Sequence, residues 1–141
     1  MLFRSLRGAW LCAREIARRL IAAKKPGAVL NVASILGLAV QKGTAPYGSS
    51  KAGLIHLTRR MALQLAKDNI AVSAIAPGAF RSDMNTLARD HADEVAKRIP
   101  AGRVGEDDDM AGAAIYLASR AGDYVVGATL VVDGGVTHAR G

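Results

Sequence analysis

The apolar positions near the start of the chain repeat with the period of an α-helix. They fall three or four residues apart, at Leu6, Ala9, Trp10, Ala13, Ile16, Ala17, Leu20 and Ile21. That spacing places them on one helix face, where they can pack against a core. Pro26 and Gly27 then interrupt the pattern, because neither residue continues a helix well. The pattern predicts an amphipathic helix over residues 5–23.

Three short apolar segments have a different pattern, that of buried strands. They are "AVLNVAS" (28–34), "IAVSAIAPG" (70–78) and "GATLVVDGG" (127–135), each followed by a loop or glycine turn. Continuous apolar runs of this length are typical of strands buried on both faces of a parallel sheet. We predict strands over residues 28–33, 70–75 and 128–132.

Helical patterns separate these strands. Residues 46–67 carry apolar side chains along one face and begin with Pro46, which suits a first helical turn. Residues 107–119 begin with acidic residues, which the positive end of a helix dipole favours. Between them, residues 79–103 have weak periodicity and mixed charge. We predict two helices and, over 79–103, a mobile helical insertion.

The order helix, strand, helix, strand, helix, strand determines the expected fold class. Alternating elements of this kind require right-handed crossovers, and these give parallel strands covered by helices. We therefore predict a single α/β domain over residues 1–141, with three layers and helices on both faces of a parallel sheet.

Charge and composition narrow the choice of partner and compartment. The chain has 19 Lys and Arg against 12 Asp and Glu, a net charge of +7, with much of the excess in the first helix. No aromatic residues interleave with these cations in a base-stacking pattern, so a solvated helix face is favoured over a nucleic-acid site. An Arg-rich amphipathic start also suits a transit peptide, although Glu15 argues against one. No apolar run has transmembrane length. We expect a cytoplasmic protein without nucleic-acid or membrane partners.

Cysteine and histidine add no candidate site. Cys12 is the single cysteine, so no internal disulfide can form, and it is expected to be a small apolar filler. His56, His91 and His138 have no neighbours at metal-ligand spacing. We therefore predict no metal.

Polar residues at the strand ends indicate a candidate proton-transfer site. Ser34 follows the first strand, Pro77 and Gly78 follow the second, and Tyr47 and Lys51 lie one turn apart near the start of the helix between them. Ligands of such sheets bind beyond the carboxyl ends of the strands. A nearby ammonium favours the ionised form of a phenol, which can then exchange a proton with an alcohol or carbonyl oxygen. The alternative is a surface Tyr–Lys pair and a serine that only forms a turn.

These motifs occur in the order found in a known family. "NVASILG", "YGSSK" and "IAPGAFRSDM" resemble the serine strand, the Tyr-x-x-x-Lys helix and the Pro-Gly exit of the short-chain dehydrogenase/reductase family. "RIPAGRVGEDDDMAGAAIYLAS" and "YVVGATLVVDGG" are similar to its late helix and last strand. The resemblance extends over nearly the whole chain.

The resemblance implies an activity and a role for each residue. The family transfers hydride between NAD or NADP and the carbon of a carbonyl or secondary alcohol. By resemblance, Tyr47 is the catalytic acid/base, Ser34 orients the substrate, and Lys51 favours the phenolate and binds the nicotinamide ribose. Tyr47 is also expected to bind the cofactor. Pro77, Gly78 and Ser82 would border the nicotinamide, with Ser82 at the position of the family's threonine. The substrate itself stays open.

The chain also departs from the family pattern. The family's glycine-rich turn, which lays the pyrophosphate on a helix N-terminus, does not occur in the sequence, and Ser5 stands where the family often has a catalytic asparagine. We therefore expect a partial Rossmann-like, doubly wound domain that lacks its N-terminal half and binds cofactor weakly by itself. Its first strand would have an open edge. Self-association through helices 5–23 and 46–67 is expected by resemblance, and the alternative to an enzyme is a catalytically inactive fragment that acts as an assembly partner.

Overall fold

A computed structural model describes residues 3–139. Three parallel strands form one sheet in the order β1 (Gly27–Val32), β2 (Ile70–Pro77) and β3 (Thr129–Val132). The register pairs Gly27 with Ile70 and Ala74 with Thr129, so all three carboxyl ends lie at the same edge of the sheet. The predicted α/β class and parallel sheet are confirmed.

The helices alternate with the strands. A π-helical turn (Phe3–Gly8) leads into α1 (Ala9–Ala22), and α2 (Ala45–Leu65) connects β1 to β2. The segment predicted as a helical insertion contains two short helices, α3 (Thr86–Asp90) and α4 (Ala92–Ala96), and α5 (Asp107–Ala118) precedes β3. Most of the predicted helix and strand bounds lie within two residues of the observed ones. The exception is the helix predicted over 5–23, whose first four residues belong to the π-helical turn.

Helices α1 and α2 cover one face of the sheet. Ala13 and Ala17 of α1, with Met61 and Ala62 of α2, form a core against Ile70 and Val72. Ile70 and Val72 are fully buried, and burying such a side chain contributes about 1.5–3 kcal/mol. Small alanines bring α1 and α2 close to the sheet.

Strand β1 differs from the prediction that it is buried on both faces. The side chain of Val32 is 56% exposed and Ala28 is also exposed, whereas Asn31 and Ala33 on the other face are buried. The prediction of burial on both faces was wrong for this strand, although β1 does lie at the edge of the described sheet, as the resemblance implied. An edge strand has a neighbour on one side only, and a continuous apolar run does not reveal its position.

Helix α5 packs on the opposite face, with Leu117 buried. Its start is capped reciprocally by Glu106 and Asp109. Arg103 holds the Asp109 carboxylate with two hydrogen bonds of 2.6 and 2.8 Å, and together with the amide of Glu106 it lowers the pKa of that carboxyl. The acidic cluster predicted to begin this helix therefore caps it.

A 3₁₀ turn, Ile35–Gly37, connects β1 to the loop before α2 and packs closely against that helix. A methyl group added at Gly37 would lie 2.7 Å from the backbone carbon of Lys51, and one added at Gly48 would lie 2.9 Å from the carbonyl oxygen of Leu36. The turn and the helix therefore approach one another through two glycines.

We predict that Gly37→Ala lowers the free energy of unfolding by about 1–3 kcal/mol, because the added methyl must displace the α2 backbone. Urea denaturation followed by circular dichroism measures this change. The matched control is Gly112→Ala in α5, where a methyl meets no atom within 4 Å. That substitution should stabilise the protein by about 0.5–1 kcal/mol, since alanine favours helix more than glycine does. Equal effects of the two substitutions would contradict the close approach.

Candidate active site

Ser34 lies directly beyond the carboxyl end of β1 and is 8% exposed. Its backbone is extended, and its hydroxyl oxygen accepts a hydrogen bond of 3.2 Å from the amide of Leu36. This bond caps the 35–37 turn and uses the oxygen as an acceptor. The hydroxyl hydrogen is then available to donate to a bound molecule.

Tyr47 and Lys51 lie in the first two turns of α2, with Pro46 also in the first turn. The Lys51 ammonium nitrogen is 5.6 Å from the centre of the Tyr47 ring. Between them, the buried hydroxyl of Ser50 donates a 2.7 Å hydrogen bond to the carbonyl of Tyr47, which strengthens this turn. The one-turn spacing thus places the phenol and the cation side by side.

The Lys51 ammonium also contacts the sheet. It donates a hydrogen bond of 2.8 Å to the carbonyl oxygen of Val32, the last residue of β1. Burial lowers the pKa of Lys51, because a desolvated ammonium is less stable than a neutral amine. This bond holds the Lys51 ammonium against the backbone of Val32, two residues before Ser34 in the chain. Ser34, Lys51 and the neighbouring Tyr47 therefore lie at the carboxyl end of β1.

Pro77 and Gly78 occupy the carboxyl end of the neighbouring strand. The amide of Gly78 donates to the carbonyl of Val132 at 2.9 Å, and a methyl group at Gly78 would lie 2.6 Å from Cβ of Asp133. The Asp133 carboxylate accepts hydrogen bonds from the amides of Gly135 and Thr137, at 2.8 and 2.7 Å. The exit of β2 therefore packs tightly against the exit of β3.

Ser82 lies farther along, in the loop beyond β2. Its hydroxyl oxygen accepts a 3.2 Å hydrogen bond from the amide of Asn85, and its side chain is exposed. Asn85 in turn caps α3 by accepting from the amide of Ala88. Ser82 thus helps to close a turn at the start of the 79–103 segment, and its role beside a nicotinamide stays a prediction.

The sequence analysis missed a buried polar contact beneath the site. The Asn31 amide donates 2.9 Å to the hydroxyl of Thr58, which donates 2.8 Å to the carbonyl of Leu54. Both side chains are buried, so this contact ties β1 to α2 below Lys51. An asparagine within an apolar strand was the available signal, because a buried amide needs a partner.

Across residues 3–139, no three His, Cys, Asp or Glu side chains are grouped so that they could hold a metal ion. In the same range, no helix combines the length and the apolar character that crossing a bilayer requires.

Comparison with known proteins decides the family. A family model described as "Enoyl-(Acyl carrier protein) reductase" matches residues 2–137, nearly the whole chain. The chain belongs to the short-chain dehydrogenase/reductase family. Curated relatives include a 3-oxoacyl-[acyl-carrier-protein] reductase of Staphylococcus epidermidis, 38% identical over 133 residues. A cis-4-hydroxycyclohexanecarboxylate dehydrogenase of Sinomonas cyclohexanicum is 41% identical over 133 residues. Each match covers 94% of this chain.

Solved structures of this family share the fold. A gluconate 5-dehydrogenase of Burkholderia cenocepacia, in complex with NADP and tartrate, superposes with a TM-score of 0.90 at 38% identity. A short-chain type dehydrogenase/reductase of Mycobacterium marinum superposes with a TM-score of 0.91 at 31% identity. These matches cover 96% and 98% of this chain but 54% and 55% of the other chains. The chain likewise spans about half the length of its curated relatives, 54% of the Staphylococcus protein.

We predict that Lys51 titrates below the ordinary lysine pKa of about 10.4. Because burial is the cause, protonated Lys51 costs folding stability at pH values below its folded pKa. That cost begins to disappear as the pH rises through the folded pKa and is gone above the unfolded one. The measurement is the pH dependence of the Lys51 side-chain carbon shifts by NMR. A wild-type midpoint at or above about 10.4 would contradict burial as the cause.

Proposed function

We propose that this chain carries the substrate-binding and proton-transfer half of an NAD(P)-dependent oxidoreductase, with Tyr47 as the acid/base. The observation that supports the proposal is the placement of Tyr47 and Lys51 side by side at the carboxyl end of β1, with Lys51 bonded to Val32. Family membership supports an oxidoreductase reaction on a carbonyl or secondary alcohol. The activity would be a hydride transfer at that carbon.

Each side chain has a proposed part in carbonyl reduction. The Tyr47 phenol gives its proton to the carbonyl oxygen while the carbonyl carbon receives hydride, so one proton and one hydride convert the carbonyl to an alcohol. The resulting phenolate is stabilised by the Lys51 ammonium beside it. Ser34 donates its free hydroxyl hydrogen to the same carbonyl oxygen. Alcohol oxidation reverses these steps.

The residues present fit the nicotinamide end of the cofactor. Lys51 has three ammonium protons, of which Val32 accepts one, so the others can bind ribose hydroxyls. The Ser82 hydroxyl accepts from Asn85 and keeps its hydrogen for a carboxamide, while Pro77 and Gly78 border the same edge. When bound, NAD or NADP supplies or accepts the hydride. The sequence has no glycine-rich phosphate turn, so we propose weak binding by this chain alone.

Related proteins suggest where to look for a substrate. Their names include a 3-oxoacyl reductase, a gluconate dehydrogenase and a cyclohexanecarboxylate dehydrogenase, which differ widely in polarity. We propose a small-molecule carbonyl or alcohol and no nucleic acid. We also propose a cytoplasmic location, which the single cysteine supports because reducing compartments need no disulfides.

We expect Tyr47→Phe to lower the rate of NADPH- or NADH-dependent carbonyl reduction at least about 100-fold, because the substitution removes only the hydroxyl that transfers the proton. The assay follows nicotinamide absorbance with a panel of 3-oxoacyl thioesters, sugar acids and cyclic ketones. Nucleotide binding, measured by nicotinamide fluorescence, should persist in the variant. The matched control is Tyr116→Phe on α5, which should retain the wild-type rate. Absence of nucleotide binding at millimolar concentration would contradict the proposal for this chain.

A second candidate function, that of an inactive assembly partner, has its own observation. Helices α1 and α2 present a partly apolar surface, here called the α1–α2 patch. Its residues are Leu6, Arg7, Trp10, Gly53, His56, Leu57 and Arg60. Trp10 is 40% exposed there, and the Arg14 guanidinium lies 4.7 Å from its ring centre. We propose that this patch pairs two copies of the chain, because large exposed apolar surfaces mark interfaces.

Trp10→Ser should weaken self-association at least tenfold, since an aromatic anchor at an interface contributes at least about 1.4 kcal/mol to the binding free energy. Sedimentation velocity over a range of protein concentrations measures the dissociation constant. Leu63→Ser, a 76% exposed residue of α2 outside the patch, is the control and should leave association unchanged. A wild-type chain that stays monomeric at high concentration would exclude this interface.

A further inference from the structure

Two hydrogen bonds attach helix α2 to consecutive residues of β1. The side-chain amide of Asn31 donates to the Thr58 hydroxyl at 2.9 Å. The Lys51 ammonium donates to the carbonyl of Val32 at 2.8 Å. Lys51 and Thr58 are seven residues apart, which is about two helical turns, so both belong to the face of α2 that meets the strand. Attachment at two points along one face opposes both rotation of the helix about its axis and sliding along the sheet.

The two attachments differ in how firmly they fix the helix. Asn31 and Thr58 have short side chains and are buried. The Thr58 hydroxyl is held in turn by its 2.8 Å hydrogen bond to the carbonyl of Leu54. The Lys51 side chain is long and flexible, so it can keep its bond to Val32 when the helix moves. The position of α2 therefore depends on the Asn31–Thr58 pair, and Lys51 adjusts to it.

The glycine contact beside the site does not determine that position by itself. A methyl group at Gly37 would lie 2.8 Å from the amide nitrogen of Ala52, so the two backbones touch there. A contact without side chains buries little apolar surface, and it limits closer approach without opposing separation. The directional bonds between α2 and β1 therefore determine where the helix lies relative to the turn.

Proton transfer depends on the position of α2 because the groups involved lie on different elements. Tyr47 and Lys51 share the helix, so their spacing is kept when the helix moves as a unit. Ser34 follows β1 and would not move with them. A phenol oxygen about 8 Å from the helix axis moves about 1 Å when the helix rotates by about 7°. A misplacement of that size can lower a rate about 100-fold.

We propose that Asn31 and Thr58 are positioning residues for proton transfer, an inference that rests on the proposed function of Tyr47. By holding α2 on β1, the pair keeps the Tyr47 phenol and the Ser34 hydroxyl directed at the same substrate oxygen. Both side chains are buried beneath the helix and act through Tyr47, without touching substrate or cofactor. Loss of the pair should therefore lower the rate at every pH. The pH midpoint of the rate should stay unchanged, because Tyr47 and Lys51 move together.

The test compares Thr58→Val, which has nearly the shape of threonine but no hydroxyl, with Thr58→Ser, which keeps the hydroxyl. We expect Thr58→Val to lower kcat for carbonyl reduction at least about tenfold, with the pH midpoint of the rate unchanged. Thr58→Ser should stay within about twofold of the wild-type kcat, because the Asn31 amide keeps its partner.

Ser73→Ala is the matched control for lost stability. The buried Ser73 hydroxyl donates to the carbonyl of Val125, so this variant also removes one buried hydrogen bond, but on β2 instead of between α2 and β1. It should retain the wild-type kcat. If Thr58→Val does not fold, the double variant Asn31→Leu/Thr58→Val replaces both polar groups by apolar ones. The double variant should fold and show the same loss of rate.

A second readout needs no catalytic activity. The nuclear Overhauser effect between the α-protons of Gly37 and the amide proton of Ala52 reports the close contact of the turn with α2. This effect should weaken in Thr58→Val, because the helix is no longer held in one position. It should stay as in wild type in Thr58→Ser and Ser73→Ala.

Two results would overturn the proposal. One is a Thr58→Val variant that keeps the wild-type Overhauser effect. The other is a loss of rate in Thr58→Ser or Ser73→Ala equal to that in Thr58→Val. Failure of the proposed function is seen separately, in a Tyr47→Phe variant that keeps the wild-type rate. A weakened Overhauser effect in Thr58→Val would then still support the placement of α2 by Asn31 and Thr58.

Discussion

The close approach of helix α2 to the turn after β1 is the constraint on which the candidate site depends. Gly37 and Gly48 leave no room for side chains at the contact, so the turn and the first two turns of α2 share one surface. Ser34 caps that turn, and Tyr47 and Lys51 belong to that part of the helix. The hydroxyl, the phenol and the ammonium are therefore positioned by backbone packing before any ligand binds.

Below this contact, the core and a buried polar pair hold α2 in register with the sheet. Alanines on α1 and α2 allow both helices to pack on Ile70 and Val72, while Asn31 and Thr58 satisfy one another's polar groups. Leaving a buried amide unpaired costs more free energy than a typical hydrogen bond contributes. The Asn31–Thr58 pair therefore favours a single position of α2 on the sheet. The hydrogen bond from the Lys51 ammonium to the carbonyl of Val32 is a further link between α2 and β1, next to the candidate site.

The hydrogen bond between Lys51 and Val32 connects the candidate site to the edge strand β1. Lys51 lies beside the Tyr47 ring, where its charge can act on the phenol, and it also bonds the strand whose outer edge is open. Burial lowers the pKa of the Lys51 ammonium. The chain spans about half the length of its curated relatives.

The amino-acid sequence determined the element order, the parallel sheet and the family, because hydrophobic period, turn residues and the ordered Ser, Tyr-x-x-x-Lys and Pro-Gly motifs are local properties of the chain. It also placed Ser34, Tyr47 and Lys51 near the strand ends. Only the tertiary structure decided that one face of β1 is exposed, that Lys51 bonds Val32 and that Asn31 pairs with Thr58. Those features join residues 19 and 27 positions apart, and their formation depends on which strand lies beside which. Strand order and side-chain partners arise from packing between distant segments, which no local pattern encodes.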